Sequence, residues 1–353
     1  MLLLVFTLVL LSVAKPSISR KINENEWTKV IQYYTQKIDD NDILTIDSRV
    51  DNSYTNKPIY AFRPLREGTS IEDKSFSSLP KEEITNLKIA QYLSQYQVRC
   101  QQQDYYSMRH QALLGYTIKA IKDIDIVPSM TWLIAKSPEK VTYIDKDGDT
   151  RNVVTGHKCA SERNPLDYYG FTLKKYGVAS TECFVNNQVP VDTTKCTNES
   201  DPEAQPDVIM KGYRDGIITG NNATTMKLAL TRFGVVANTQ GYAYGIIFGW
   251  EDDNWLLAPF EYDQEKFEVT KVPINGSEYH EGEVIFNEDF AIDCSSEIQA
   301  DTIQDVCPCP IDKKDLEKDP RYFKGGICYS GSMRVTLSVI TTTMLLPILV
   351  LLL

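Results

Sequence analysis

The apolar positions of the chain change their spacing midway, and the change predicts two kinds of element in succession. Between residues 79 and 177 they recur about every three to four positions, in "EEITNLKIAQYLSQY", "RHQALLGYTIKAI" and "PLDYYGFTLKKYG", the period of a helix that buries one stripe. Beyond residue 230 they gather into short runs, "FGVVANT", "YAYGIIFGW", "NWLLAPF" and "GEVIFN", whose length and β-branched or aromatic content suit strands. Helices leading and strands following make an α+β layout. Upstream, residues 21–78 are polar and mixed, with one amphipathic stretch, "EWTKVIQYYTQKI", carrying Trp27, Val30, Ile31 and Tyr34. Residues 15–79 therefore read as an accessory or pro-type region. Between "VTYI" and "RNVV", the segment "DKDGDT" at 145–150 imitates a calcium loop but lacks the bidentate glutamate at the twelfth loop position. A hairpin turning at Asp147-Gly148 is the better expectation.

Both ends are hydrophobic in the manner of processing signals. Residues 1–14, "MLLLVFTLVLLSVA", close an apolar core with the small-residue pattern Ser12, Val13, Ala14, which predicts a secretory signal cleaved near Ala14. Within residues 331–353, the stretch from Val335 to Leu353 is apolar apart from Ser338 and the Thr341 to Thr343 patch, and no basic tail follows it. With Ser330, Gly331 and Ser332 just upstream, it predicts a signal for a glycosylphosphatidylinositol (GPI) anchor at Ser330, with Gly325 or Gly326 as other attachment points. A single transmembrane helix is the competing reading. Residues 301–330 are charged and rich in Cys and Pro, as a short disulfide-clamped stalk would be.

Composition narrows the function classes. With 42% hydrophobic and 24% charged residues the chain has ordinary globular content. Its net charge of −11 comes without a basic stripe, which argues against nucleic acid as a partner. Triplets at Asn198, Asn222 and Asn275 are glycan acceptors if the chain is secreted. Eight cysteines, Cys100, Cys159, Cys183, Cys196, Cys294, Cys307, Cys309 and Cys328, form an even set, so disulfides are expected in an oxidising compartment. "CPCP" at 307–310 spaces two thiols too closely to ligate one tetrahedral ion easily, and His280-Glu281 lacks the second histidine of a zincin helix. Neither a metal nor another cofactor is expected. The 20 tyrosines hint at recognition, because tyrosine offers contact area with few rotatable bonds.

One stretch has the shape of an active site. In "VRCQQQDYYSMRHQA", Gln101 precedes Ser107 by six positions, at the start of an apolar helical run. Four other segments join it in order. "DYYGFTLKKYGVASTECF" is a hydrophobic helix ending in Tyr-Gly and followed by an acidic residue, Cys and an aromatic; "TTMKLALTRFGVVANT" is a helix running through Gly234 into a strand, with Val235 where a proline is usual. "YAYGIIFGWEDDNWLLAPF" holds a Gly-Trp hairpin and a Trp-Leu strand; "GEVIFNEDFAIDCSSEI" closes on Cys294 and Glu297. Together these resemble the papain-like cysteine peptidases over residues 80–300, with Leu79-Pro80 at a mature start spaced as in cathepsin B. The resemblance implies a two-lobed fold, a helical lobe followed by a β-barrel-like lobe.

Carried over one residue at a time, the resemblance puts the oxyanion-hole glutamine on Gln101 and the nucleophilic cysteine on Ser107. The family's tryptophan after the nucleophile is Met108. Its histidine falls on Ala243, or on Tyr242 with one residue inserted, and its asparagine falls on Pro259. The half-cystine expected three residues before the nucleophile is Asp104, so the resemblance lets Cys100 pair with Cys159 and Cys183 with Cys196. A serine hydroxyl needs a base still more than a thiol does. Tyr242, with a phenol of ordinary pKa of about 10, would be ionised only about one part in a thousand at neutral pH, and Pro259 has no side-chain group to orient it. Of the three histidines, His110 lies one turn past Ser107 on the same helix and projects alongside it, while His157 and His280 sit in polar loops where solvation is expected.

The expectation is a non-catalytic papain-like ectodomain on a lipid anchor that binds a peptide, glycan or protein, as in a surface adhesion or receptor complex. Tyr105, Tyr106 and Met108 would line its surface. The alternative is a serine-variant hydrolase in which Ser107 is the nucleophile and His110, or a group from residues 21–78, is the base.

Overall fold

The strand-like runs become strands buried on both faces, and that explains why they are continuous instead of alternating. In β9 (Ile246–Glu251), Ile246 and Phe248 join one core cluster while Ile247 and Trp250 join a second. In β10 (Asn254–Ala258), Leu256 and Ala258 face the first cluster and Trp255 and Leu257 the second. The same division holds in β12 (Glu281–Asn287), where Ile285 is opposed to Val284 and Phe286. Side chains two apart share a face, so a strand covered on both sides can be apolar throughout. Each large side chain so buried contributes about 1.5–3 kcal/mol.

The computed structural model describes residues 30–49, 54–62, 64–66, 69–94, 105–158, 164–197, 204–219, 222–238, 245–260, 268–275 and 281–290. All of them fall within the compact unit Trp27–Ile298. The other elements are β1 (Val30–Tyr34), β2 (Ile43–Asp47), β3 (Tyr54–Pro58), β4 (Ser75–Ser77), α1 (Lys88–Ser94), α2 (Tyr105–Lys122) and α3 (Met130–Ala135). They continue with β5 (Lys140–Ile144), β6 (Thr150–Val154), α4 (Tyr169–Tyr176), β7 (Tyr213–Thr219), α5 (Ala223–Phe233), β8 (Val236–Asn238) and β11 (Thr270–Pro273). Nine strands form one sheet in the order β11-β10-β9-β8-β12-β7-β1-β3, with β4 added on β9, and β2-β5-β6 form a second. Among the described residues no barrel closes, and the fold is a mixed one of helix and sheet.

Helices cover both faces of the large sheet. The first cluster takes Ala112, Leu113, Tyr116 and Ile118 from α2, with Trp132 from α3 and Leu173 from α4. On the other face α5 contributes Met226, Ala229, Leu230 and Phe233, the three-then-four spacing of a single apolar stripe. Asn222 starts this helix, its side-chain oxygen accepting the Thr225 N–H at 2.9 Å, and Gly234 ends it at a φ of 86°.

The segment 15–79 is built into the same sheets from residue 30 onward. β1 lies between β3 and β7, β4 pairs with β9, and β2 runs parallel to β5. The amphipathic stretch around Ile31 is a strand, with Ile31 and Tyr33 buried at alternate positions. Sheet partners far along the chain decide this period, which the local pattern does not.

The "DKDGDT" segment is the expected hairpin turn between β5 and β6. Gly148 adopts a φ of 91°, and Asp145 Oδ1 accepts the N–H groups of Asp147 and Asp149 at 3.0 and 2.9 Å. Its carboxylate is thus occupied by the turn itself. Cys183 and Cys196 form a disulfide across a separation of 13 residues, the pairing that the resemblance implied.

Candidate functional site

The site begins at the first turn of α2, which carries Tyr105, Tyr106 and Ser107 in its backbone. Their side chains lie outside the described residues, as do Gln101, Tyr242, Ala243, Asn198, Ser330, Cys100, Cys159, Cys294, Cys307, Cys309 and Cys328. So do the terminal segments read as signal, stalk and anchor; among the described residues, no helix is long and apolar enough to cross a membrane. Met108, expected on a binding surface, is 6% exposed and packs in the first core cluster. Its place on the helix turns it toward the sheet. Pro259 follows β10, and its carbonyl accepts the buried Tyr116 hydroxyl at 2.9 Å, a bond that ties the middle of α2 to the strand. Asn222 and Asn275 are both exposed.

Directly after Ser107 the helix turns charge inward. Arg109 Nη2 donates to Glu283 Oε2 at 2.7 Å, and the Tyr169 hydroxyl donates to Oε1 at 2.5 Å. His110 Nε2 stands 3.5 Å from the same Oε1, and its ring stacks on Tyr169 with centroids 4.5 Å apart. Its Nδ1 is buried without a hydrogen-bond partner among the described residues. Glu283 lies on β12 and faces the helices, and Asp215 of β7 shares that face, because its register partner is Ile285. Gly170 of α4 makes room for Asp215: a Cβ there would sit 1.5 Å from Oδ1. The pieces come from α2, α4, β7 and β12, and they meet because the two strands pair while both helices cover that face.

The electrostatics separate the two carboxylates. Burial raises the Glu283 carboxyl, but His110, Arg109 and the Tyr169 hydroxyl more than offset this and hold it at about 2. Asp215 goes the other way: burial first, then the Glu283 charge, push it up to about 6 against the pull of Arg214. Burial and the two carboxylates together drive the Tyr169 phenol well above its ordinary range, so it acts as a neutral donor. A neighbouring cluster is separate. Arg214 pairs with Glu288 and donates to the Gln36 carbonyl at 3.1 Å, and Lys174 joins Glu288 at 2.7 Å.

Chemically, this arrangement holds a buried carboxylate among an arginine, a histidine and a tyrosine hydroxyl. His110 faces Glu283 through Nε2 and lies flat on the Tyr169 ring. His157, expected to be solvated, is half-buried with Nε2 2.8 Å from the Ser137 carbonyl oxygen, because the loop folds back onto the end of α3; His280 lies outside the described residues. Among the described residues no cluster of His, Cys, Asp or Glu has the makings of a metal site. Reading the sequence for motifs missed Glu283 and Asp215 altogether. Their signal was there: Glu283 directly before the apolar run Val284 to Phe286, and Asp215 shortly before Ile217 and Ile218, each within a strand that joins the core.

No family model matches the chain, and no curated protein matches it in sequence. Among solved structures it is similar to procathepsin B S9 from Trypanosoma congolense, at 13% identity and a TM-score of 0.35, over 65% of this chain and 83% of that one. It is similar also to digestive procathepsin L 3 of the Tenebrio molitor larval midgut, at 11% identity and a TM-score of 0.35, over 64% of this chain and 74% of that one. A likeness of this extent assigns no residue a role.

Proposed function

We propose that the chain is a papain-like, two-lobed domain that has given up catalysis and works at the cell surface by binding. One observation carries the reading: the histidine nearest Ser107 is turned onto the sheet and held by Glu283 and Tyr169. A serine hydroxyl without a base retains little reactivity. Pro259, where the family keeps an orienting asparagine, offers only a carbonyl, and Tyr116 already uses it. The binding region is the first turn of α2 with Tyr105 and Tyr106, and the ligand is a peptide, a glycan or a protein. The eight cysteines, the sequons at Asn198, Asn222 and Asn275 and the hydrophobic ends fit a secreted, glycosylated chain with a lipid anchor at Ser330.

Full-length protein incubated with a library of peptide substrates tests the catalytic half of the proposal. No cleavage is expected from either the wild type or Ser107→Ala. Cleavage that Ser107→Ala abolishes would establish the serine hydrolase instead, with Glu283 as the group behind His110. The surface half is tested by phosphatidylinositol-specific phospholipase C, which is expected to release the protein from cells; protein that stays on the membrane sinks the lipid anchor.

A further inference from the structure

We propose that the cluster around Glu283 is an acid-strengthened latch, in which mild acid tightens the hold of α2 and α4 on the sheet and neutral pH loosens it. The geometry puts two carboxylates on one sheet face: Glu283 on β12 and Asp215 on β7, the latter opposite Ile285 and therefore one side-chain step along from Glu283. Such diagonal neighbours lie about 7–8 Å apart. The groups facing them can be named for each element. From α2 come Arg109, paired with Glu283, and His110, 3.5 Å from it. From α4 come the Tyr169 hydroxyl and the bare backbone of Gly170, against which Asp215 packs. Arg214, next to Asp215 on β7, is committed to Glu288, which Lys174 of α4 also holds.

With both acids ionised, the first turns of α2 offer Arg109 as their one permanent cation to two anions. A proton on Asp215 removes the repulsion between the two carboxylates and leaves Arg109 and the Tyr169 hydroxyl to Glu283 alone. That change draws α2 and α4 onto the sheet. Burial and the Glu283 charge raise Asp215 to about 6 in the folded state from 3.8. The folded chain therefore binds this proton more tightly than the unfolded one, and the contribution to stability grows as pH falls from about 6 toward about 4. Glu283 acts oppositely: lowered to about 2 from 4.5, it stabilises above about 4.5 and loses that contribution as pH falls further. The latch is tightest between these limits, in mild acid.

The test is urea unfolding of the full chain at constant ionic strength from pH 7.5 to 5, comparing wild type with Asp215→Asn. The wild-type folding constant is expected to rise about tenfold on acidification to pH 5, which lies about one pK unit below the folded-state value of Asp215 and still above the unfolded one. Asp215→Asn is expected to lose most of that rise and to exceed the wild type at pH 7.5. An equal rise in both proteins overturns the proposal, and so does a wild type that gains nothing. Should Asp215→Asn fail to fold, amide exchange in wild-type α2, corrected for intrinsic rates, decides. Protection of residues 109–113 should increase at least several-fold between pH 7.5 and 5, and unchanged protection overturns the latch.

Discussion

Gly170→Ala tests whether Asp215 is packed as tightly as the structure places it. A Cβ at this position would lie 1.5 Å from Asp215 Oδ1, 2.4 Å from its Cγ and 3.0 Å from its backbone nitrogen. The first two contacts belong to the half-buried Asp215 side chain, which must shift to admit the Cβ, and the third is to backbone, which yields less readily. Overpacking of this kind costs about 1–3 kcal/mol, and displacing the half-buried acid from its place adds to it, so a loss of about 3 kcal/mol is expected. For a domain of this size that lowers Tm by roughly 6–12 °C. Removing the obstructing carboxylate should reverse much of it. In Gly170→Ala/Asp215→Ala only the 3.0 Å approach to backbone remains, and the coupling energy of the cycle should reach about 1–3 kcal/mol in the rescuing direction. Urea titration followed by tryptophan fluorescence reads this directly, since Trp250 and Trp255 are buried in the folded state. If the double variant loses the sum of its two single losses, the two residues do not collide and the packing argument is wrong.

Glu283→Gln leaves Arg109 facing a neutral group in a buried setting and should destabilise by about 3–5 kcal/mol, measured by the same titration at pH 7; a loss within error of zero would show the pair to be solvated. Replacing both Cys183 and Cys196 by serine opens a loop with a separation of 13 residues, and a loss of about 3 kcal/mol in urea unfolding is expected. At α5, Asn222 caps through its oxygen and leaves its nitrogen for a glycan. Thr224→Ala should therefore remove one glycan mass with little change in Tm, whereas Asn222→Ala should remove the glycan and also about 1 kcal/mol of stability. Because Asp145 is spent on its own turn, calcium and chelator should leave the Tm equal.

The features legible in the sequence were those fixed by neighbours along the chain. The stripe of α5 at Met226, Ala229, Leu230 and Phe233 is a local pattern, and so is the Asp147-Gly148 turn, which needs only its own backbone and the Asp145 side chain. The apolar runs of β9, β10 and β12 were legible as strands for a similar reason, although their meaning, two covered faces, depends on helices elsewhere. The stretch around Ile31 shows where this ends. Its apolar residues sit at spacings that a helix and a strand both tolerate, and pairing with β7 and β3 settles the matter. The Cys183–Cys196 pair came from the resemblance, not from spacing.

The centre of the site was illegible for a deeper reason. Motif reasoning looks for a reactive group with its partners at set distances along the chain, and so it fixed on Gln101, Ser107, Tyr242, Ala243 and Pro259. The groups that engage α2 are separated from it by 59 (169 − 110) to 174 residues: Tyr169 and Glu283 reach Arg109 and His110 only after β12 has paired with β7 and α4 has settled over them. A residue such as Glu283 still gives itself away by energy: a carboxylate in an apolar strand must be paired or protonated, so its presence predicts a buried cation nearby. Arg109 and His110, polar residues on the sheet-facing side of an apolar helix, make the same demand from the other end. Matching such unpaired demands across elements, before looking for catalytic spacing, would have joined α2 to β12 and shown that the histidine beside Ser107 was already engaged.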